Sequence, residues 1–294
     1  MVVLSPAKVN LFLHVLGRRE DGFHELETLM CPVSCFDTLE FEPGGEEVRL
    51  EIQGAALSAG PENLVVRAAE KIRGFCPERP GMRIVLNKRI PMGGGLAGGS
   101  SNAASTLLAC NALWNAGLSQ AELHHLAAEL GSDVNLFLED GPCLCYGRGE
   151  NVRPVTWVDH PQLVLLNPGF EVPTPWAFQR YASLPLENKK GEAGRWTWNY
   201  RELEGEGRLH SFKLRNDLEP AVFSKYLWME EAKSWLLRQA GCMDALMSGS
   251  GATLFALTKD EDTAIALERS MRGYFGENCL ILRTCPHFRH DQPD

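Results

Sequence analysis

The sequence predicts an α+β fold, and three patterns lead to that prediction. Short segments with alternating apolar residues, typical of strands, precede a glycine-rich segment at residues 91–102. Helix-like segments follow it directly, and helices and strands then alternate without the regular spacing of βαβ units. A doubly wound parallel sheet needs that regular spacing, so we expect an α+β arrangement instead.

The first predicted strand covers residues 7–16, where apolar residues alternate with a second set that includes Lys8 and Asn10. Because successive side chains of a strand point to opposite faces, Lys8 and Asn10 are expected to point the same way. Turns at 18–22 and 43–46 separate this strand from further predicted strands at 28–39, 48–52 and 82–90.

The glycine-rich segment is the most informative part of the chain, with five glycines and two serines between a predicted strand and a predicted helix at residues 102–114. Glycine permits positive φ and the close approach of a ligand, and the first turn of the helix presents N–H groups that have no partner within it. Anions bind at such positions. The segment is therefore predicted to hold a phosphate, through Pro91, Met92, Gly93, Gly94, Gly95, Leu96, Ala97, Gly98, Gly99, Ser100 and Ser101.

Three other interpretations of this segment are less favourable. A Walker loop ends in Gly-Lys followed by Ser or Thr, and no lysine lies between Arg89 and Lys189. Gly93, Gly95 and Gly98 match the dinucleotide-binding pattern, but a second helix follows instead of the required second parallel strand. A flexible linker is disfavoured because predicted ordered elements adjoin the segment on both sides.

The second helix after the segment is predicted to begin at a capping box formed by Ser119 and Glu122 and to end at Gly131. Ser132 or Asp133 is suited to cap the short helix that follows. The polar segment 187–207 is predicted to be a long surface loop. The remaining elements are predicted to be a strand at 162–166, a helix at 221–239, a glycine turn at 247–252, a strand at 253–257, a helix at 260–271 and a strand at 279–282.

The composition is that of an ordinary globular protein, with 44% hydrophobic and 23% charged residues among 294. This length suffices for two modest domains. The net charge of −9 gives no electrostatic reason to expect nucleic acid or an anionic membrane as a partner, so an anionic ligand must be held locally. We expect a cytoplasmic protein, a monomer or a weak homodimer, with its nine cysteines as free thiols and no structural zinc.

Six motifs occur in the order seen in GHMP-type small-molecule kinases, a family that the chain resembles from residue 6 to about residue 257. The motifs are Pro-Ala-Lys-Val-Asn-Leu-Phe-Leu at 6–13, Asp-Gly-Phe-His at 21–24, the glycine-rich segment at 91–101, Gly-Ser-Asp-Val at 131–134, Pro-Thr-Pro at 173–175 and Ser-Gly-Ser-Gly-Ala at 248–252.

This resemblance implies an ATP-dependent kinase with ATP and Mg²⁺ as cofactors. The first two motifs are similar to those of members that phosphorylate a hydroxyl on the methylerythritol part of a cytidine diphosphate substrate, a step of the non-mevalonate isoprenoid pathway. The fold implied is an N-terminal α/β ATP-binding domain, placed at residues 1–155, and a C-terminal ferredoxin-like domain on the substrate side, placed at 156–294.

The resemblance also assigns roles to individual residues. Asp133 matches the catalytic base, and Lys8 matches the lysine that keeps the base ionised and neutralises charge on the transferred phosphoryl group. For an arbitrary Asp or Lys, a helix cap or a solvated strand residue is the more common role, but the motif context favours catalysis. The residues assigned to the substrate are Asn10, Phe23, His24, Thr174 and Phe178, of which Phe23 and Phe178 would stack on the cytosine.

Some questions stay open at the level of sequence. Ser100, Ser101 and Thr106 are candidate Mg²⁺ ligands by analogy with other phosphate loops, and spacing prefers none of them. Phe23 stands where this family often has Tyr, and Asn135 stands where it usually has Pro. The alternatives are a GHMP-type kinase for another alcohol, such as homoserine, mevalonate or a sugar, and a non-catalytic nucleotide-binding relative.

Overall fold

The computed structural model describes residues 1–78, 80–158, 161–185, 189, 191–203 and 208–288. Its residues divide into two compact units. The first unit contains residues 1–7, 35–90 and 97–140, and the second contains 8–34, 91–96 and the described residues from 141 onward. Because these units are not contiguous in sequence, they do not test the domain boundary near residue 155, which stays a prediction.

Two long strands, β1 (Val2–Arg18) and β2 (His24–Pro43), contribute residues to both units. In the first unit, residues 38–43 of β2 pair antiparallel with β4 (Met82–Asn87), and β4 pairs in parallel with β3 (Val48–Gln53). The predicted strands before the glycine-rich segment are thus present.

The helices of the first unit are α1 (Leu64–Arg73), α2 (Gly98–Leu113) and α3 (Gln120–Leu130), followed by a 3-10 helix at Asn135–Leu138. Helix α2 packs against α1, α3 and the 3-10 helix. The predicted capping box of α3 is confirmed, because Ser119 Oγ accepts from Glu122 N and Glu122 Oε2 accepts from Ser119 N at 2.8 Å.

Helix α2 begins four residues before the predicted start at Asn102, so Gly98 to Ser101 belong to its first turn. Residues 101–107 are all buried, so the helix does not bury the single apolar face that its sequence suggested. Small side chains in this stretch allow neighbouring helices to approach from more than one side.

In the second unit, one sheet contains β5 (Cys143–Gly147), β6 (Asn151–Trp157), β8 (Thr197–Glu202), β9 (Leu209–Lys213) and β10 (Arg215–Asn216). The strand order is β10-β1-β2-β5-β6-β8-β9. The prediction of a loop at 187–207 is wrong at β8, where Trp198 is fully buried beside Trp157 with ring centroids 3.6 Å apart. Residues 187, 188, 190 and 204–207 of this region lie outside the described residues.

The second sheet contains β7 (Gln162–Asn167), β11 (Asp244–Met247), β12 (Leu254–Thr258) and β13 (Leu280–Thr284), all paired antiparallel in the order β11-β12-β7-β13. Its helices are α4 (Thr174–Ser183), α5 (Glu219–Phe223), α6 (Leu227–Arg238) and α7 (Glu261–Phe275). In chain order, β7, α6, β11, β12, α7 and β13 form a β-α-β-β-α-β path, with α4, β8, β9, β10 and α5 inserted between β7 and α6. With this strand order, the path is the ferredoxin-like arrangement, as predicted. The single helix predicted at 221–239 is instead two helices, separated where Tyr226 leaves helical geometry.

Each of the nine cysteines is a free thiol within the described residues. Burial raises the pKa of Cys35 to about 11 and that of Cys110 to about 12. Such thiols stay protonated near neutral pH and are poor nucleophiles. No described helix has the length and apolar character needed to cross a membrane.

Candidate active site

The glycine-rich segment joins the end of β4 to the start of α2. Gly93 and Gly95 adopt φ of 59° and 74°, a region that favours glycine. Ala97, which precedes the helix, is also left-handed, with φ of 52° and ψ of 30°. Its methyl side chain has no acceptor for the first-turn N–H groups of α2, which therefore remain suitable donors to an anion.

Gly95 lies against the glycine turn at 247–252, the second glycine turn of the chain, which belongs to the same unit. A Cβ at position 95 would come within 2.0 Å of the Ser248 carbonyl oxygen, so no other residue fits without moving the backbone. Ser248 Oγ donates to the Gly95 carbonyl at 2.8 Å, and Thr253 N donates to the Gly94 carbonyl at 3.2 Å. Hydrogen bonds therefore join two motifs that lie about 150 residues apart in sequence.

Lys8 is buried, with 3% of its surface exposed, and its ammonium donates to Asn10 Oδ1 at 2.6 Å and to the Gly95 carbonyl at 2.9 Å. Asn10 Nδ2 in turn donates to Thr28 Oγ1 at 2.9 Å, and Asn10 N donates to Ser248 Oγ at 3.3 Å. The structure thus brings Lys8 and Asn10 together on one side of β1, next to the glycine-rich segment. A buried lysine with hydrogen-bonded acceptors is held in one orientation.

Asp133 is half-buried and lies in the first unit, between the end of α3 and the 3-10 helix. Val134, rather than Ser132 or Asp133, occupies the N-cap position of that short helix, so the predicted cap position is wrong. Lys8 belongs to the second unit, so its assigned partnership with Asp133 stays a prediction.

Asn135, directly after Val134, contacts His124 of α3 through its Oδ1 atom, 3.2 Å from His124 Nδ1. The other ring nitrogen, Nε2, lies 2.8 Å from Glu139 Oε1. These contacts connect both ends of the 3-10 helix to α3. Hydrogen bonding to Glu139 raises the pKa of His124 above its ordinary value.

The predicted cytosine-binding residues are on the second unit. His24 and Phe178 stack, with ring centroids 5.1 Å apart and ring planes 23° from parallel, and Tyr181 meets His24 edge-on at 6.3 Å. Phe23 is 54% exposed, and the Arg148 guanidinium lies 5.1 Å from its ring centroid. Burial, together with the charges of Arg18 and Lys189, lowers the pKa of His24. The imidazole is therefore held neutral over a wider pH range and can donate and accept at the same time.

Thr174 opens α4 after Pro173, and its Oγ1 lies 2.8 Å from Ser250 Oγ in the second glycine turn. This contact connects a predicted substrate residue to the glycine turn at 247–252, which also contacts Gly95.

The candidate Mg²⁺ ligands differ in how their hydroxyls are used. Thr106 Oγ1 donates to the Asn102 carbonyl at 2.7 Å within α2, and Ser101 Oγ lies 2.7 Å from Ser5 Oγ. Both residues are fully buried, whereas Ser100 is half-buried. Within the described part of the chain, no group of three or more His, Cys, Asp or Glu residues could hold a metal ion.

A charged cluster that the sequence analysis did not identify lies in the first unit, directly after β4. The Lys88 ammonium donates to Asp37 Oδ2 and to the Ile90 carbonyl, both at 2.7 Å. Asp37 is fully buried and Lys88 is 8% exposed. The available signal was that Asp37 falls in the same alternating phase as the apolar Cys35, Leu39 and Phe41, because a carboxylate on the buried face of a strand requires a partner.

Comparison with known families identifies both parts of this architecture. The family described as the GHMP kinases N-terminal domain matches residues 63–146, and the GHMP kinases C-terminal family matches residues 199–277. The chain belongs to the GHMP kinases.

Individual relatives of this GHMP kinase agree with that assignment. The 4-diphosphocytidyl-2-C-methyl-D-erythritol kinase of Syntrophus aciditrophicus is 42% identical over 262 residues, which cover 89% of this chain and 91% of the relative. A crystal structure of 4-(cytidine 5′-diphospho)-2C-methyl-D-erythritol kinase is 35% identical, with a TM-score of 0.75 and coverage of 97% and 99%. Homoserine kinase from Cytophaga hutchinsonii, at 19% identity, a TM-score of 0.71 and coverage of 98% and 94%, shares the fold.

These comparisons confirm the family and the α+β fold that the motifs indicated. They also exclude the linker interpretation and the dinucleotide-binding interpretation of the glycine-rich segment, because the family match includes this segment. In the structure, α3 follows α2 where a second parallel strand would be required.

We predict that the His124–Glu139 ion pair makes stability depend on pH. Because folding raises the pKa of His124 above 6.5, the contribution is fully present below about pH 6.5 and is lost as pH rises through the folded value. The free energy of unfolding of wild type minus that of His124→Gln should therefore be larger at pH 5.5 than at pH 8, measured by urea denaturation.

His125→Gln is the matched control, because it removes a 78% exposed imidazole from the same helix, and the contact of that imidazole with Glu129 at 3.2 Å is open to solvent and contributes little. If the His124→Gln difference depends on pH no more than the His125→Gln difference, the ion pair makes no such contribution.

Proposed function

We propose that this GHMP kinase uses ATP to phosphorylate a hydroxyl of 4-diphosphocytidyl-2-C-methyl-D-erythritol, giving the 2-phosphate, in the non-mevalonate route to isoprenoid precursors. The substrate is proposed from the relatives of that name, which match almost the whole chain. The geometric observation that supports phosphoryl transfer is the buried Lys8 ammonium on the Gly95 carbonyl, which puts a fixed positive charge beside the glycine-rich segment.

The ATP phosphates are proposed to bind residues 91–101, through backbone N–H groups at the left-handed glycines and at the first turn of α2. Phosphoryl transfer depends mainly on positioning and on neutralising charge, so a preformed backbone cradle supplies much of what the reaction needs.

Mg²⁺ is proposed to arrive with ATP. This ion usually retains several waters and binds substrate phosphates together with only one or two protein oxygens. The half-buried Ser100 hydroxyl is a better candidate for such a ligand than the hydroxyls of Ser101 and Thr106, which are buried and take part in hydrogen bonds. When bound, the ion neutralises charge on the phosphate oxygens. The protein's part is to orient the nucleotide.

Asp133 is proposed to accept the proton of the substrate hydroxyl. The hydroxyl oxygen then forms a bond to the γ-phosphorus as the bond to the bridging oxygen of ADP breaks, and ADP leaves with that electron pair. Lys8 is proposed to favour the ionised carboxylate and to stabilise the charge that develops on the transferred group.

The cytidine end is proposed to bind at Phe23, His24 and Phe178. A gap of 5.1 Å between the His24 and Phe178 centroids leaves no room for a third ring between them, so the cytosine would stack on an outer face of this aromatic group. The exposed ring of Phe23 is available for such stacking, and the neutral His24 imidazole can pair with polar edges of the base. Asn10 and Thr174 are proposed as further substrate contacts.

The proposed function is tested by measuring ADP release with 4-diphosphocytidyl-2-C-methyl-D-erythritol, homoserine, mevalonate and galactose, each with and without Mg²⁺. We expect magnesium-dependent turnover of the cytidine compound alone. Turnover of another alcohol would keep the kinase and reject the cytidine site. ATP binding without turnover of any substrate would favour a non-catalytic relative.

We predict that Asp133→Asn retains ATP and substrate binding but lowers kcat on the order of 10²–10⁴-fold, the usual contribution of a general base. The measurement is steady-state kinetics with both substrates. Asp140→Asn is the matched control, since it removes the same charge from an exposed position beyond the 3-10 helix and should leave kcat unchanged. Near wild-type turnover in Asp133→Asn would show that the base is another residue.

We predict that Phe23→Ala raises KM for the cytidine substrate on the order of tenfold, as expected for loss of about 1–3 kcal/mol of base stacking, and leaves KM for ATP unchanged. Phe23→Tyr should preserve the low KM because it keeps the stacking face. Phe75→Ala, which removes an equally exposed ring from the first unit, serves as the control. Equal effects of the two alanine variants would argue against a cytosine contact at Phe23.

A further inference from the structure

The cluster of Asp37 and Lys88 lies entirely within the first unit and has no role in the mechanism described above. Each of the two carboxylate oxygens of Asp37 accepts two hydrogen bonds, which is the full number that a carboxylate can accept. Asp37 Oδ1 accepts from Arg89 N at 2.6 Å and from Ile90 N at 2.8 Å, and Oδ2 accepts from Lys88 Nζ at 2.7 Å and from Asn102 Nδ2 at 3.0 Å.

These bonds join two stretches of chain that border the glycine-rich segment. Residues 88–90 come directly before Pro91, and Asn102 lies in the first turn and a half of α2. Asn102 Nδ2 also donates to Ser5 Oγ at 3.0 Å, and Ser5 Oγ lies 2.7 Å from Ser101 Oγ. One buried carboxylate on β2 thus fixes the chain both where it leaves β4 and where it enters α2.

Lys88 is in turn in close contact with the start of the helix. A Cβ at Gly98 would lie 2.8 Å from Lys88 Nζ and 3.0 Å from Ile90 Cγ2, so the first residue of α2 packs directly on this ammonium. A cation is unfavourable at the positive end of a helix. Its placement there requires a compensating anion, and Asp37 supplies it.

We propose that Asp37 and Lys88 are positioning residues for ATP: through Arg89, Ile90, Asn102 and Gly98 they set the separation and direction of the two ends of the glycine-rich segment. Neither residue touches the phosphates in this proposal. The proposal rests on the proposed function only in taking the segment as the ATP site.

Disturbing this pair should weaken ATP binding more than it weakens binding of the alcohol substrate. Asp37→Asn leaves one oxygen for four donors, and Lys88→Met leaves a buried carboxylate without its ammonium. In each variant we expect the Kd for ATP, measured by calorimetry with Mg²⁺ present, to rise about tenfold or more, which corresponds to about 1.4 kcal/mol per factor of ten. We also expect kcat/KM to fall on the order of 100-fold, the effect of a misplacement of about 1 Å.

Two further variants separate positioning from a general loss of stability. Ile72→Ala creates a cavity in the core of the same unit and should lower Tm while keeping the wild-type Kd for ATP. Ser5→Ala removes only the hydroxyl that joins Asn102 to Ser101, and it should fold and raise the Kd for ATP several-fold. Ser5→Ala decides the question if the charge variants do not fold.

The inference is overturned if folded variants of the pair, or Ser5→Ala alone, bind ATP as wild type does, or if Ile72→Ala raises the Kd as much at an equal loss of Tm. Failure of the wild-type protein to bind ATP at all would instead reject the proposed function. The two failures are therefore distinguished by the wild-type titration.

Discussion

The arrangement of the candidate site in the second unit depends on one acceptor, the carbonyl oxygen of Gly95. Lys8 Nζ and Ser248 Oγ both donate to it, at 2.9 and 2.8 Å. If the buried Lys8 ammonium lost this acceptor, the free-energy cost of removing it from water would remain without the compensating hydrogen bond. The contact therefore fixes both the lysine and the loop. Glycine is required at this position because the Ser248 carbonyl occupies the space of a side chain.

In both units, buried charged residues orient the groups around them more than they stabilise the fold. A buried ion pair returns little net free energy, because the desolvation of both groups offsets their attraction. What the Asp37–Lys88 pair provides is direction, since its hydrogen bonds, apart from the one between the two residues, join backbone groups or Asn102. Glu219 in the second unit has a similar role, accepting from Lys233 Nζ at 2.6 Å and from Met247 N at 3.0 Å, at the start of the glycine turn at 247–252.

Each prediction from sequence that the structure contradicts has an identifiable physical cause. The segment at 187–207 is polar in composition, but Trp198 and Tyr200 alternate with polar residues and bury against the sheet, so tertiary packing outweighed composition at β8. Helix α2 begins as early as Gly98, which packs on Lys88 and Ile90, although intrinsic propensity disfavours glycine in a helix. The 3-10 helix after Asp133 has Val134 at its N-cap position and is connected to α3 through Asn135 and His124.

Patterns in the sequence were sufficient to predict the α+β class, most strands, the capping box of α3, the family and the residues that the family motifs single out. These follow from local periodicity, from turn chemistry and from motifs that are contiguous in the chain. Tertiary contacts were needed to show that the glycine-rich segment and the glycine turn at 247–252 share hydrogen bonds, that Lys8 donates to Gly95, and that Asp37 holds residues 88–90 to α2. Such contacts join residues tens to hundreds of positions apart, and a local pattern carries no information on which distant partner a buried polar group will find.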